Sequence, residues 1–304
     1  MKTTDIITKE TGKLLDAAVA IETESAIESG NLGFFARSLT QCTLPHSKPA
    51  DDAVTYGKRN GKLSLTVQPG DYLDKSDRPV SYGVPYGSIP RLLLCWISTE
   101  ASRTKSRELL LGHSLSEFMA AIDLTPSWGR RGTAKSLTDQ MERLFNCTIR
   151  LTYEDNEKRA VTRLDVAKSY CLFFHKQPDQ GGLWQSTLTL TEDFYEEIIK
   201  HPVPLDLRAL RSLKKSPLAI DVYCWLTYRM SYLKGVTPVT WAQLHGQFGA
   251  DYARLRDFKR YFSAALQKVT IVYPGANLQI TADGLTLLPS KTHIPMKGKT
   301  LSNR

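Results

Sequence analysis

Apolar positions recur at helical spacing over residues 9–29. Leu14, Leu15, Ala18, Val19 and Ile21 form a stripe, and Glu22, Glu24 and Glu28 give the polar side. The stretch "GFFARSLTQCTLP" (33–45) is a second apolar patch that reads as a short helix. Residues 45–90 are rich in Pro, Gly, Asp and Ser. They hold one strand-like alternation, "GKLSLTVQPG", in which Leu63, Leu65 and Val67 share a face, and they read as a connecting region packed onto the body. Downstream, "YGVPYGSIPRL" (82–92) is a turn-rich entry to a helix, with Ser88 as its expected cap and Pro90 in its first turn. That helix runs to about Arg103. A strand at "ELLLG", a short helix opened by "SLSE", the turn "TPSWGRRGT" and a helix over about Thr133 to Asn146 follow. The alternating runs "CTIRLTYED" and "AVTRLDVA", separated by "NEKR", then predict a β-hairpin with a charged tip.

The second half repeats this order. Pro217 starts a helix to about Leu233, "GVTPVT" supplies a short strand, and Thr240 caps a short helix that Gly249 ends. A longer helix covers about Tyr252 to Lys268, and "VTIVYPG" and "LQITADGLTLL" alternate as strands. The first helices of the two series share a Cys-Trp pair, in "LLLCWIST" (92–99) and "DVYCWLTY" (221–228). Matched elements in matched order predict a duplicated unit. Cys95 and Cys224 read as small buried apolar residues, and Trp96 and Trp225 as large ones, each anchoring the recognition helix of its unit.

Helix, strand, helix, turn, helix, hairpin is the winged-helix order, in which the later helix enters the major groove and the hairpin reaches the backbone. The expected fold class is therefore α+β, with two tandem winged-helix domains at 81–200 and 201–304 behind an N-terminal helical and extended region at 1–80. On a helical wheel, Leu255, Phe258, Phe262, Ala265, Leu266 and Val269 fall on one side. Arg256, Lys259, Arg260, Ser263 and Gln267 fall on the other, where Arg suits guanine and Gln adenine. In the earlier helix Ala134, Leu137, Met141, Leu144 and Phe145 share a face, while Lys135, Ser136, Asp139 and Arg143 face away. Arg130 and Arg131 precede that helix, and Lys158, Arg159 and Arg163 lie at its hairpin wing. Two such modules would read an asymmetric site of roughly twenty base pairs on double-stranded DNA.

Charge agrees with a polyanionic partner. The formal net charge is +9, and it belongs to the body: residues 1–80 carry −1 and residues 81–304 carry +10. No apolar run is long enough to span a bilayer and no secretory signal is visible, so no membrane partner and a cytoplasmic location are expected. The five cysteines contain no Cys-x-x-Cys pair. Cys171 and His175 in "CLFFH" lack a second pair of ligands, so neither a metal nor any other cofactor is expected. No phosphate-binding Gly-x-x-x-x-Gly-Lys-Ser/Thr occurs and the six histidines are isolated, so no enzymatic activity is expected. The acids at Glu192, Asp193, Glu196 and Glu197 read as a solvated helix start. The same fold would also serve a plain transcriptional repressor or a protein-binding scaffold.

The long segment "YGVPYGSIPRLLLCWISTEASRTKSRELLLGHSLSEFM" (82–119), with the upstream "LGFFARSLTQCTLPHSKP" (32–49), resembles the RepA-type plasmid replication initiators. The resemblance runs from about residue 20 to 290 and is loosest in the second module. It implies a bacterial, plasmid-associated protein that binds repeated sites (iterons) at a plasmid origin and helps to open it. It also implies recruitment of the host initiator and helicase, and promoter repression as a homodimer. The amphipathic first helix is the candidate dimerisation element.

Overall fold

The computed structural model describes residues 3–50, 53–172, 186–249 and 252–295. Among them ten helices and five small sheets form a mixed α/β protein around one continuous core. Helix α1 (Thr3–Thr23) leads into strand β1 (Leu32–Ala36) and the short α2 (Arg37–Gln41). The expected helix at 33–45 is thus half strand. Leu32 to Ala36 pair antiparallel with β11 (Pro202–Asp206), from Leu32 opposite Asp206 to Ala36 opposite Pro202, and that pairing overrides local preference.

The segment expected to be a connector carries four strands. These are β2 (Tyr56–Asn60), β3 (Leu63–Gln68), β4 (Asp71–Leu73) and β5 (Pro79–Ser81). The alternation in β3 puts Leu65 and Val67 inside, opposite Leu151 and Ile149 of β7 (Thr148–Glu154). The four-stranded sheet runs β2, β3, β7 and then β8 (Arg159–Arg163).

Helix α3 (Ser88–Thr104) begins after Gly87, whose positive φ makes the turn, so Ser88 is the first helical residue and not the cap. There follow β6 (Glu108–Leu110), α4 (Leu115–Ala121), α5 (Thr133–Asn146), β7 and β8, then β9 (Ala167–Cys171) and β10 (Thr187–Leu190). The second series is α6 (Glu192–Lys200), β11, α7 (Leu207–Leu213), α8 (Pro217–Tyr232), β12 (Thr237–Thr240), α9 (Trp241–Phe248), α10 (Leu255–Val272), β13 (Leu278–Ile280) and β14 (Gly284–Leu287). Ser216 caps α8, and Thr240 with Gln243 forms a full capping box on α9. The run "VTIVYPG", expected to be a strand, continues α10 to Val272. Val269 and Val272 are buried on the helix's apolar side, so tertiary packing overrides their β-branched preference.

The repeat is longer than the sequence pattern suggested. The second series reads helix, strand, short helix, long helix, strand, helix, helix, hairpin; the first has the same order with β2–β5 and β7–β8 inserted, and the two short strands β1 and β11 pair with each other. β6 pairs with β10, which pairs with β9, just as β12 pairs with β14, which pairs with β13. The first counterpart of the β13–β14 hairpin is therefore β9–β10. The β7–β8 hairpin, expected to be the first wing, instead joins β2 and β3 in a separate sheet. Residues 173–185, including His175, lie outside the described residues.

The Cys-Trp helices are α3 and α8. Trp96 meets Phe118 of α4 edge-on at 5.0 Å between centroids, and Trp225 meets Phe248 of α9 edge-on at 5.5 Å. Each tryptophan thus meets a ring of the short helix of its half, while the helices that carry them, α3 and α8, pack against the longer α5 and α10 as expected. Trp225 is buried, whereas Trp96 is only half-buried. No described helix is long and apolar enough to cross a membrane.

Candidate nucleic-acid interface

The apolar side of α10 is a run of rings and aliphatics. Phe258, Phe262, Ala265, Leu266, Val269 and Val272 are buried, and Phe262 contacts Phe248 and Trp241 of α9. Leu255, expected in this set, is exposed because it opens the helix one turn before the first buried position. On the opposite side Arg256, Arg260 and Gln267 are exposed, and Lys259 and Ser263 are half-buried. The Lys259 ammonium lies 5.3 Å from the centroid of the Trp241 ring, and the Arg260 guanidinium 4.8 Å from that of Tyr261. Among the described residues no carboxylate forms an ion pair with Arg256, Lys259 or Arg260. Asp257, in the first turn, faces favourably into the helix dipole.

Helix α5 is entered through a pinned turn. The Thr133 hydroxyl accepts from the Ser127 backbone N–H and donates to the Thr125 carbonyl, while the Ser127 hydroxyl accepts from the Thr133 N–H. Gly132 is required there, since a Cβ would stand 2.4 Å from the Ser127 carbonyl oxygen. This turn holds Arg130 and Arg131 exposed.

The outer face of α5 differs from that of α10. Buried Leu137, Met141, Leu144 and Phe145 have the spacing of Phe258, Phe262, Ala265 and Leu266. By that match Lys135 stands where Arg256 does, Asp139 where Arg260 does and Glu142 where Ser263 does. Lys135 is held by Asp139 at 2.5 Å, and this bond raises the lysine pKa. Glu142 is also raised, by partial burial and then by the Asp139 charge. Ser136 is exposed. Arg143 is turned inward: it donates to the Val84 carbonyl at 3.2 Å and sits over the Tyr86 ring, with Gly83 leaving it room. The duplicated face is cationic in α10 and nearly self-neutralised in α5.

The β7–β8 cations are exposed but partly matched. Arg159 lies 4.0 Å from Glu154 and Arg163 3.3 Å from Asp165, while Lys158 projects from the tip beside Asp155. Around the end of α3, Arg103 pairs with Glu100, and Arg107 donates to the Leu190 carbonyl. Glu197, expected to be solvated, accepts from the Ser38 N–H and hydroxyl at the start of α2. Two exposed cations that the helical wheel left out, Lys215 and Arg254, flank the α10 face. The signal for the first was present in the "KKSP" run just before α8.

The buried polar residues hold the two halves together. Arg91 of α3 and Asp221 of α8 form a two-bond ion pair, and His46 adds a contact to Asp221 at 2.8 Å. Arg208 binds Asp206 and also donates to the Ala20 and Glu24 carbonyls, securing the end of α1.

No curated protein sequence matches the chain. A solved structure of domain 2 and domain 3 of RctB is similar in fold, with a TM-score of 0.53 at 12% identity, covering 83% of this chain and 95% of that one. The family model described as plasmid-encoded RepA protein matches residues 84–243, more than half of the 304 residues. That span runs from the entry to α3 through most of the second series to the start of α9, and on this match the chain belongs to the family of plasmid-encoded RepA proteins.

Proposed function

We propose that this protein is a plasmid replication initiator that binds specific repeated double-stranded DNA sites (iterons) at its plasmid origin, promotes origin opening and recruits host initiator and helicase. Membership of the RepA family supports the replication role. The cationic face of α10, free of carboxylate partners among the described residues, is the observation that carries DNA binding.

The order α8, β12, α9, α10, β13, β14, with β12 against β14, supports a winged-helix reading of the second half. The matching β6, β9, β10 arrangement supports the same reading of the first. In this reading α10 enters a major groove with Arg256 and Arg260 on base edges, and Lys259 steadied by Trp241. α5 reads more weakly, because Asp139 and Glu142 oppose the phosphates. The protein contributes recognition and binding energy, and performs no covalent chemistry of its own.

The test is selection of duplexes from a random pool by the purified chain, followed by footprinting of the DNA flanking its gene. Enrichment of one motif that recurs beside the gene is expected. A further arm deletes the gene from a minimal plasmid: loss of replication is expected, whereas persistence with raised transcription would make the protein a repressor alone.

A further inference from the structure

An open cleft of about 730 Å³ lies along one flank of α10, between that helix, the start of α8 and the loop at His46. Three cations converge on it: Lys215 just before α8, Arg254 just before α10, and Arg260 one and a half turns further on. None of the three is in an ion pair with a carboxylate among the described residues. A fourth, Lys268, is held by Glu10 at 3.0 Å, and among the described residues Asp257 is the one carboxylate lining the cleft. Tyr252 and Tyr261 stack at 5.3 Å between centroids and form its firm wall.

The start of α8 is not an anion site by itself, because Pro217 has no N–H and the Ser216 hydroxyl already takes the Ala219 N–H. The charge comes from the side chains.

The cleft is continuous with the proposed reading face. At about 100° per residue, Arg256, Arg260, Ser263 and Gln267 span an arc of about 60°. Arg260 is at one edge of that arc and also lines the cleft. About 40° further round, and one turn along, is Ala264, exposed and small, where a strand can approach the helix backbone closely. A helix seated in a major groove has a phosphate rim on each flank. On this flank the rim meets Lys215, Arg254 and Arg260.

We propose that this cleft seats the sugar–phosphate backbone of the DNA whose groove α10 reads, with Lys215 and Arg254 as phosphate contacts and Arg260 bridging from backbone to base. The inference rests on the DNA-binding reading given above and adds the orientation of the duplex on the protein. Phosphate contacts position a duplex without reading it, so Lys215 and Arg254 act on affinity and salt dependence rather than on sequence choice.

The test uses the full chain, a duplex selected by that chain and an unselected duplex, with affinity followed by fluorescence anisotropy across a KCl series. Lys215→Ala and Arg254→Ala are each expected to weaken both duplexes by a similar factor and to lower the slope of log K against log salt by about 1. Ala264→Asp is expected to weaken both duplexes more strongly while the circular dichroism spectrum stays unchanged. Arg256→Ala is expected instead to lower the ratio of selected to unselected binding. If Arg256→Ala lowers that ratio while Lys215→Ala and Arg254→Ala leave affinity and slope unchanged, the cleft assignment is overturned and the DNA-binding reading stands. If the wild-type chain shows no preference between the two duplexes, the reading falls and the cleft assignment with it. Calorimetric binding of ATP to the DNA-free chain that Lys215→Ala abolishes would make the cleft a nucleotide site and also overturn the assignment.

Discussion

Arg91 and Asp221 are joined by two hydrogen bonds, Nε to Oδ1 at 2.7 Å and Nη2 to Oδ2 at 2.6 Å, deep between the two halves of the protein. The guanidinium has no unmet need, since it also donates to the carbonyls of Leu44, Pro45 and Gly87. Burial works against the Asp221 carboxylate, but Arg91 and the His46 hydrogen bond outweigh it and hold the pKa below the usual aspartate value.

Breaking this pair from one side leaves a buried charge alone. Arg91→Ala and Asp221→Ala are each expected to cost about 3–5 kcal/mol, whereas Arg91→Met with Asp221→Leu costs much less. Urea denaturation of the three variants checks this. The lowered aspartate pKa contributes stability above the ordinary carboxylate range, and that contribution is lost as pH falls through the still lower folded value.

His293 gives a second pH dependence in a higher window. It is half-buried and stacks on Tyr273, its Nδ1 meets the Tyr223 hydroxyl at 2.8 Å, and loss of solvent around its ring lowers its pKa to about 4. The unfolded chain takes up a proton near pH 6.5 and the folded one does not, so stability is full above that pH. It falls by up to about 3 kcal/mol as pH drops from 6.5 to 4. His293→Gln is expected to flatten that interval, as read by thermal midpoints at half-unit steps of pH.

The two series are expected to contribute unequally to DNA binding. Arg256→Ala should cost about 1–3 kcal/mol of specific binding, as for a base-contacting arginine. Lys135→Ala should cost far less, because its charge is already matched by Asp139. Asp139→Asn should tighten binding by freeing Lys135. Titrations at one salt concentration rank the variants, and equal losses at Lys135 and Arg256 would contradict the asymmetry.

The tryptophans should separate by burial. Trp225→Ala removes a buried ring and is expected to cost about 3–5 kcal/mol. Trp96→Ala, at a half-exposed position, is expected to cost less. Chemical denaturation compares them, with DNA binding below the unfolding midpoint preserved in both.

The sequence by itself determined the elements whose patterns are local. Helices α5 and α9 and the alternation of β3 and β7 are legible from capping residues and apolar spacing, because short-range hydrogen bonding and one-sided burial specify them. The Cys-Trp repeat also exposed the duplication, and the cationic side of α10 was visible on a wheel. Tertiary structure alone decided which strands pair. β1 meets β11 some 170 residues away, and β10, not β8, completes the first counterpart sheet. It also decided that the first four residues of "VTIVYPG" are helix and that Arg143 and Glu197 turn inward. These outcomes depend on partners distant in the chain, and a strand's edge or a charge's counterion is set by what packs against it, which no local pattern encodes.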